Sequence, residues 1–184
     1  MATDIATFKS ALTYGGARPS LFEMSVSTAT GIGAISDFKS FCNVSAIPPL
    51  TVTPIERQYF GRTVKIPGDI VFGDLSTSII NTENMDVKLT IESWMEAING
   101  ATTNVGYSDS TSMYGSLTLT QYAKTGDSLL KWTFKDCWPQ AIAEVALSYD
   151  TASDIEQFDV TWAYNYYTQE IGDSNTVTQY ADQG

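Results

Sequence analysis

The sequence predicts a mainly β protein: an antiparallel β-sandwich or barrel-like domain with one flanking α-helix and a long protruding β-hairpin. Three observations carry that expectation. Apolar and polar residues alternate over most segments, one stretch alone keeps helical spacing, and two extended arms flank a tight turn at residues 59–62. The 184 residues suit one domain, 1–184, better than two small ones. A hydrophobic content of 43% is enough to build a core, which argues against a disordered chain.

The elements follow in order. Past Leu21, Phe22, Met24 and Val26 alternate with Glu23, Ser25 and Ser27, the period of a half-buried strand. Pro48 and Pro49 break a strand, residues 51–58 read as extended, and Tyr59-Phe60-Gly61-Arg62 reads as a turn. Residues 63–66 return before Pro67-Gly68-Asp69, giving a hairpin over about 51–66. Asn81 or Thr82 can cap a helix over about 82–99, with Glu83 and Asp86 in the first turn where the helix dipole favours negative charge. Val87, Ile91, Trp94, Met95 and Ile98 then form one apolar stripe, and Lys88 and Glu92 an i, i+4 pair. That stripe suits packing on a sheet better than a groove for a partner. Asn99-Gly100 ends the helix.

Residues 101–112 are small and polar and read as a surface loop. Strand alternation resumes at 116–120. Beyond it, Leu130, Trp132 and Phe134 oppose Lys131, Thr133 and Lys135. Val145, Leu147 and Tyr149 suggest a shorter strand. Phe158, Val160, Trp162 and Tyr164 alternate with Asp159, Thr161 and Asn165. Residues 168–184 carry Glu170, Asp173 and Asp182 without a basic residue, so an exposed or partly ordered tail is expected.

Charge excludes whole classes of function. Ten Lys and Arg face 21 Asp and Glu, a net charge of −11, and such a surface repels phosphate backbones and anionic membranes. The absence of histidine rules out Ser-His-Asp, Cys-His and His-rich metal chemistry. Carboxylate pairs drawn from Glu56, Asp69 and Asp74 could in principle hydrolyse glycosides, yet nothing marks one pair as special. Asp109, Asp150 and Asp154 lack the spacing of a calcium loop. The sequence therefore predicts no enzyme, no cofactor and no metal. Cys42 and Cys137 read as reduced and buried, although spacing alone leaves a disulfide open. No signal peptide is expected from the opening residues, and no run approaches the roughly 18 apolar residues of a membrane span. Synthesis in a cytoplasm is the corresponding expectation.

The hairpin is the segment that suggests assembly. Arg57, Arg62 and Lys65 are three of the ten basic residues in an acidic chain, set beside Gln58, Tyr59, Phe60, Gly61, Val64 and Ile66. Arginine and aromatic residues are enriched at protein interfaces, and a basic arm on an acidic body attracts further copies head to tail. An ordinary hairpin with solvated charges fits the same residues.

The stretch Tyr59-Phe60-Gly61-Arg62-Thr63-Val64-Lys65-Ile66-Pro67-Gly68-Asp69 resembles the tail tube proteins of contractile-tailed, T-even-type bacteriophages. Ala17-Arg18-Pro19-Ser20-Leu21-Phe22 and Ala46-Ile47-Pro48 precede it as in that family. Phe72-Gly73-Asp74-Leu75, Asn81-Thr82-Glu83 and the Trp94 helix follow it in the family's order. Gln121-Tyr122, Cys137-Trp138-Pro139 and residues 155–161 complete the series. Leu75 and Thr82 depart from the family's frequent Trp and Asp, which touches packing and capping.

The resemblance implies hexameric rings whose inner sheets join into one barrel around a lumen. The rings stack into a tube in the virion tail, partnered by sheath, baseplate and neck or terminator proteins, and the viral genome passes through without specific binding. The hairpin would then reach an adjacent ring or subunit. A lumen for DNA should be polar and net negative, since cations would act as brakes; Asp159 is a candidate there, with a solvated outer position as the other reading. Two alternatives remain: a tube subunit of a phage-derived injection particle (tailocin, extracellular injection or type VI-like) and a carbohydrate-binding β-sandwich.

Overall fold

The computed structural model describes residues 5–12, 16–35, 37–145, 147–149, 154–172 and 177–179. Its elements are α1 (Ile5–Ala11), β1 (Phe22–Ser27), α2 (Phe38–Phe41), β2 (Cys42–Ser45), β3 (Leu50–Tyr59), β4 (Arg62–Phe72), β5 (Leu75–Ile80), α3 (Asp86–Ile98), β6 (Gly115–Tyr122), β7 (Ser128–Ile142), β8 (Gln157–Ala163), β9 (Tyr166–Ile171) and β10 (Val177–Gln179). A 3-10 turn at Ser110–Met113 leads into β6. Every strand pairing is antiparallel, as the alternation predicts.

The architecture turns on β7, whose 15 residues serve two layers. Its first part pairs with β6 on one side and β9 on the other, so β1-β6-β7-β9-β10 form one layer. Past Asp136, whose φ of 55° places it in the left-handed region, the strand crosses to pair with β8. The second layer is therefore β7-β8-β5-β2. The outer strands β1 and β2 meet where Cys42 Sγ lies 3.8 Å from Met24 Sδ, but they do not pair. The sandwich thus has a barrel's curvature without its closure.

Alternation explains the core. Met24, Leu117, Leu119, Trp132, Phe134 and Tyr167 point inward from the first layer, and Leu75, Ile79, Phe158, Val160 and Trp162 from the second. The Trp162 indole also needs a hydrogen-bond acceptor, and buried Thr77 Oγ1 accepts it at 2.9 Å. The predicted stripe of α3 is core: Val87, Ile91 and Trp94 are buried, and Trp94 Nε1 donates to the Met113 carbonyl at 3.0 Å. Phe38 of α2 packs edge-on against Trp162.

Five expectations need correction. The helix begins at Asp86, not Thr82, because Thr82 accepts the Met85 N–H in a turn and Met85 then takes a left-handed φ of 54°. Asn81 does not cap it, since its side chain donates instead to Glu156 at 2.6 Å. Residues 145, 147 and 149 form no strand: Leu147 and Tyr149 stand exposed, with no strand opposite them among the described residues. The stretch from 168 is not simply a tail, because β9 runs to Ile171, with Tyr167 buried on Phe134 and Glu170 bridged to Lys131 at 2.9 Å. Residues 173–176 and 180–184 of that expectation lie outside the described residues. Finally, α1 and α2 join the single helix the sequence suggested; α2 is only four residues long and α1 seven.

Candidate assembly interface

The hairpin is longer than the sequence suggested, running from Leu50 to Phe72 through Pro67-Gly68-Asp69 without a break. It forms a separate two-stranded sheet, and every residue of β3 is exposed. At ~3.3 Å per residue its ten-residue arm reaches roughly 33 Å. Two-stranded ribbons without a core are marginal in water, so this one depends on what holds its base and what covers its faces.

The base is held by aromatic rings. Phe72 packs edge-on against Tyr167 at 5.3 Å and lies 6.1 Å from Tyr164, whose hydroxyl donates to the Gly73 carbonyl at 2.7 Å. Burial pushes the Tyr164 phenol well above its usual range, so it stays a donor. Gly73 N–H closes the neck by donating to the Pro49 carbonyl at 3.0 Å.

Register assigns the faces. Tyr59 pairs with Arg62, Arg57 with Val64 and Ile55 with Ile66, while Glu56 pairs with Lys65 and Gln58 with Thr63. Since side chains alternate, Ile55, Arg57, Tyr59, Arg62, Val64 and Ile66 share one face. Lys65 lies on the other face and is bridged to Glu56 at 3.3 Å. Of the three predicted cations, the structure therefore brings two together and turns the third away, its charge locally matched. A bulge separates tip from base: β4 takes three residues from Ile70 to Pro67 where β3 takes two from Val52 to Pro54. Leu50, Val52, Ile70 and Phe72 below it consequently face the side opposite the apolar residues of the tip. Gly68 is required there, because a Cβ would sit 2.5 Å from the Thr53 carbonyl oxygen.

The turn is a two-residue loop with positive φ at both Phe60 (43°) and Gly61 (78°), the handedness that suits twisted strands. Glycine accepts this conformation; a phenylalanine does so at a cost of about 1–2 kcal/mol. Phe60 is 89% exposed and stacks edge-on against Tyr59 at 4.7 Å.

Asp159 stands exposed on β8, opposite Ser78 of β5. With Ser76, Ser78 and Thr161 it forms a polar outer face, and β2, β5 and β8 contain no lysine or arginine. The outer face of the other layer carries Lys131 and Lys135 beside Ser25, Thr118, Thr133 and Thr168. Cys42 and Cys137 are free, buried thiols, and burial raises each to about 12. Among the described residues no helix is long and apolar enough to cross a membrane.

A sequence profile described as phage tail tube protein matches residues 10–170. The chain belongs to the phage tail tube protein family. Tail tube protein gp19 of Enterobacteria phage T4 is 26% identical over 152 residues, 82% of this chain and 90% of that one. Its counterpart in Enterobacteria phage T6 matches equally, at 26% over 152 residues with the same coverage. Among solved structures, a chain of the sheath-tube complex of an extracellular contractile injection system superposes with a TM-score of 0.60 at 16% identity, covering 92% of this chain and 99% of that one. A chain in the structure of the anti-feeding prophage tube-terminating cap gives a TM-score of 0.63 at 16% identity, covering 93% of this chain and 99% of that one. An Hcp protein gives 0.52 at 12%, covering 86% and 97%. These structures share the fold. As a tail tube protein the chain is a structural virion component, a tube subunit by family.

Sequence reasoning missed the bulge at Gly68, the aromatic clamp around Phe72, and the exposure of Leu147, Tyr149 and Ile155. Gly68 directly after a proline was the available signal for the first. The other two arise from segments far apart in the chain.

Proposed function

We propose that six copies of this tail tube chain close into a ring and that rings stack into the inner tube of a phage tail. A contractile sheath surrounds this tube, baseplate and terminator proteins end it, and it conducts the viral genome into the host. The subunit is made in the host cytoplasm and acts by assembly, without catalysis. One observation carries the reading: among the described residues β1 and β2 are unpaired on their outer sides, and the body projects a hairpin whose β3 is exposed along its whole length. Pairing between copies would remove the free edges, and docking would cover the arm. Arg57, Gln58, Tyr59, Phe60, Gly61, Arg62, Val64, Lys65 and Ile66 are the contact residues of that arm.

The lumen is assigned to the outer face of β5 and β8 with Asp159, because these strands carry a carboxylate and no cation that would grip phosphates. Tubes built from Asp159→Lys chains should retain double-stranded DNA at low salt and release it as salt rises, while parent tubes retain none. Equal retention by both would remove this face from the lumen. End-on views of parent tubes should show six-fold symmetry, and any other symmetry would overturn the hexamer.

The relatives that share a quarter of the sequence are phage proteins, which favours a genome conduit over an injection particle.

A further inference from the structure

The root of the hairpin meets the body at a two-residue turn. Tyr164-Asn165 joins β8 to β9, and the Tyr164 hydroxyl donates to the Gly73 carbonyl at 2.7 Å. The same ring lies 6.1 Å from Phe72 and packs edge-on against Phe134 at 5.0 Å. Asn165 fastens the turn on its other side. Its backbone N–H donates to the Lys135 carbonyl at 3.2 Å, and its Nδ2 to the Asp136 carboxylate at 3.1 Å. Lys135 is the last β7 residue paired with β9, and Trp138 the first paired with β8, so the turn sits where β7 crosses between layers. Asp136 is held there in the left-handed region, a strain that persists only where the surroundings fix it. One turn thus ties the arm to both layers.

The arm's own bonds do not set its angle to the body. The Gly73 to Pro49 hydrogen bond closes the neck within the arm, and no residue of β3 is buried against either layer. With an arm of roughly 33 Å, a tilt of about 10° at the root carries the tip about 6 Å. A specific contact tolerates far less displacement than that. Contact between the rings of Phe72 and Tyr164 limits the tilt but survives sliding. The hydroxyl bond adds direction, because it weakens steeply once misaligned. We propose that Tyr164 is a positioning residue: its bond to the Gly73 carbonyl fixes the hairpin's angle in the free subunit, so that subunits meet the growing tube with the arm already set. The inference rests on the tube reading and deepens it. A subunit whose arm is correctly set only part of the time joins with an apparent affinity lowered by that fraction.

Tyr164→Phe tests it, since the ring stays and the donor alone is lost. Spin labels on Phe60→Cys at the apex and Ser25→Cys on the body report the arm's angle in unassembled subunits; both positions are exposed, and the native cysteines are buried and do not compete. The distance distribution should be narrow in the labelled parent and at least about twofold wider with Tyr164→Phe, while urea unfolding stays cooperative. Thr77→Val, which weakens the core at another hydrogen bond, should leave the width unchanged and so separates positioning from a general loss of stability. Without labels, the subunit concentration that gives half-maximal tube growth on baseplates should rise several-fold with Tyr164→Phe, with the parent rate recovered at saturation. Equal widths for parent and Tyr164→Phe, equal broadening by Thr77→Val, or a growth curve unchanged despite the broadening would each overturn the proposal. If parent chains fail to grow on baseplates, the tube reading falls and the assembly role of Tyr164 with it, whatever the widths show.

Discussion

Replacing Trp94 with alanine probes the packing on which the body depends. Trp94 is fully buried, 5.9 Å from Trp162 between ring centres, and a Cβ on Gly115 would meet its ring at 2.6 Å. Removing an indole withdraws some 150–250 Å² from the core, worth about 4–6 kcal/mol at ~25 cal/mol per Å². A compact unfolded chain lowers that by roughly 10–40%, bringing it to about 3–5 kcal/mol, the range seen for large-to-alanine core changes. The Met113 carbonyl also loses its N–H partner, which holds the result toward the upper end. For a chain of 184 residues this lowers the melting temperature by about 6–20 °C. Urea unfolding of unassembled subunits is the suitable assay, since assembly adds its own stabilisation. Leu89→Ala on the exposed side of the same helix serves as the control and should cost less than about 1 kcal/mol. A Trp94→Ala loss as small as that control, with unchanged denaturant slope, would refute the core assignment of the helix stripe.

Three further outcomes follow from the same structure. Thr77→Val keeps the shape but orphans the Trp162 indole N–H, so it should cost about 1–3 kcal/mol by urea unfolding; a neutral change would mean that the 2.9 Å bond contributes nothing. Among single charge reversals in the hairpin, Arg57→Glu and Arg62→Glu should impair tube growth more than Lys65→Glu, whose charge is already matched by Glu56; equal effects in a pelleting assay would contradict the face assignment. Cys42 and Cys137 titrate near 12 when folded against about 9 when unfolded, so the unfolded chain releases protons first. Their contribution to stability is thus intact below about pH 9 and declines as pH rises toward 12, and native thiols should resist alkylation at pH 8 while both react in denaturant; rapid native reaction would contradict their burial.

Strands whose apolar residues meet the core on one face were legible, because Phe22, Met24 and Val26 or Phe158, Val160 and Trp162 write the pleat directly into the sequence. The hairpin turn was legible from Gly61, and its chemistry from three cations in an acidic chain. What failed depended on distant partners. Asn81 has the composition of a cap, yet Glu156 claims its side chain. Glu170 looked like part of a solvated acidic tail until Lys131 stood opposite it. Leu147 and Tyr149 carry the alternation of a strand, but nothing in the described chain pairs with them. The bulge that separates the hairpin's two apolar faces shifts register by one residue and leaves no periodic trace.

Negative-stain electron microscopy of the concentrated protein, with a baseplate-containing lysate as nucleator, tests the central claim most directly. Stacked rings enclosing an open channel are the expected result. Lone particles that persist with the nucleator present would contradict it.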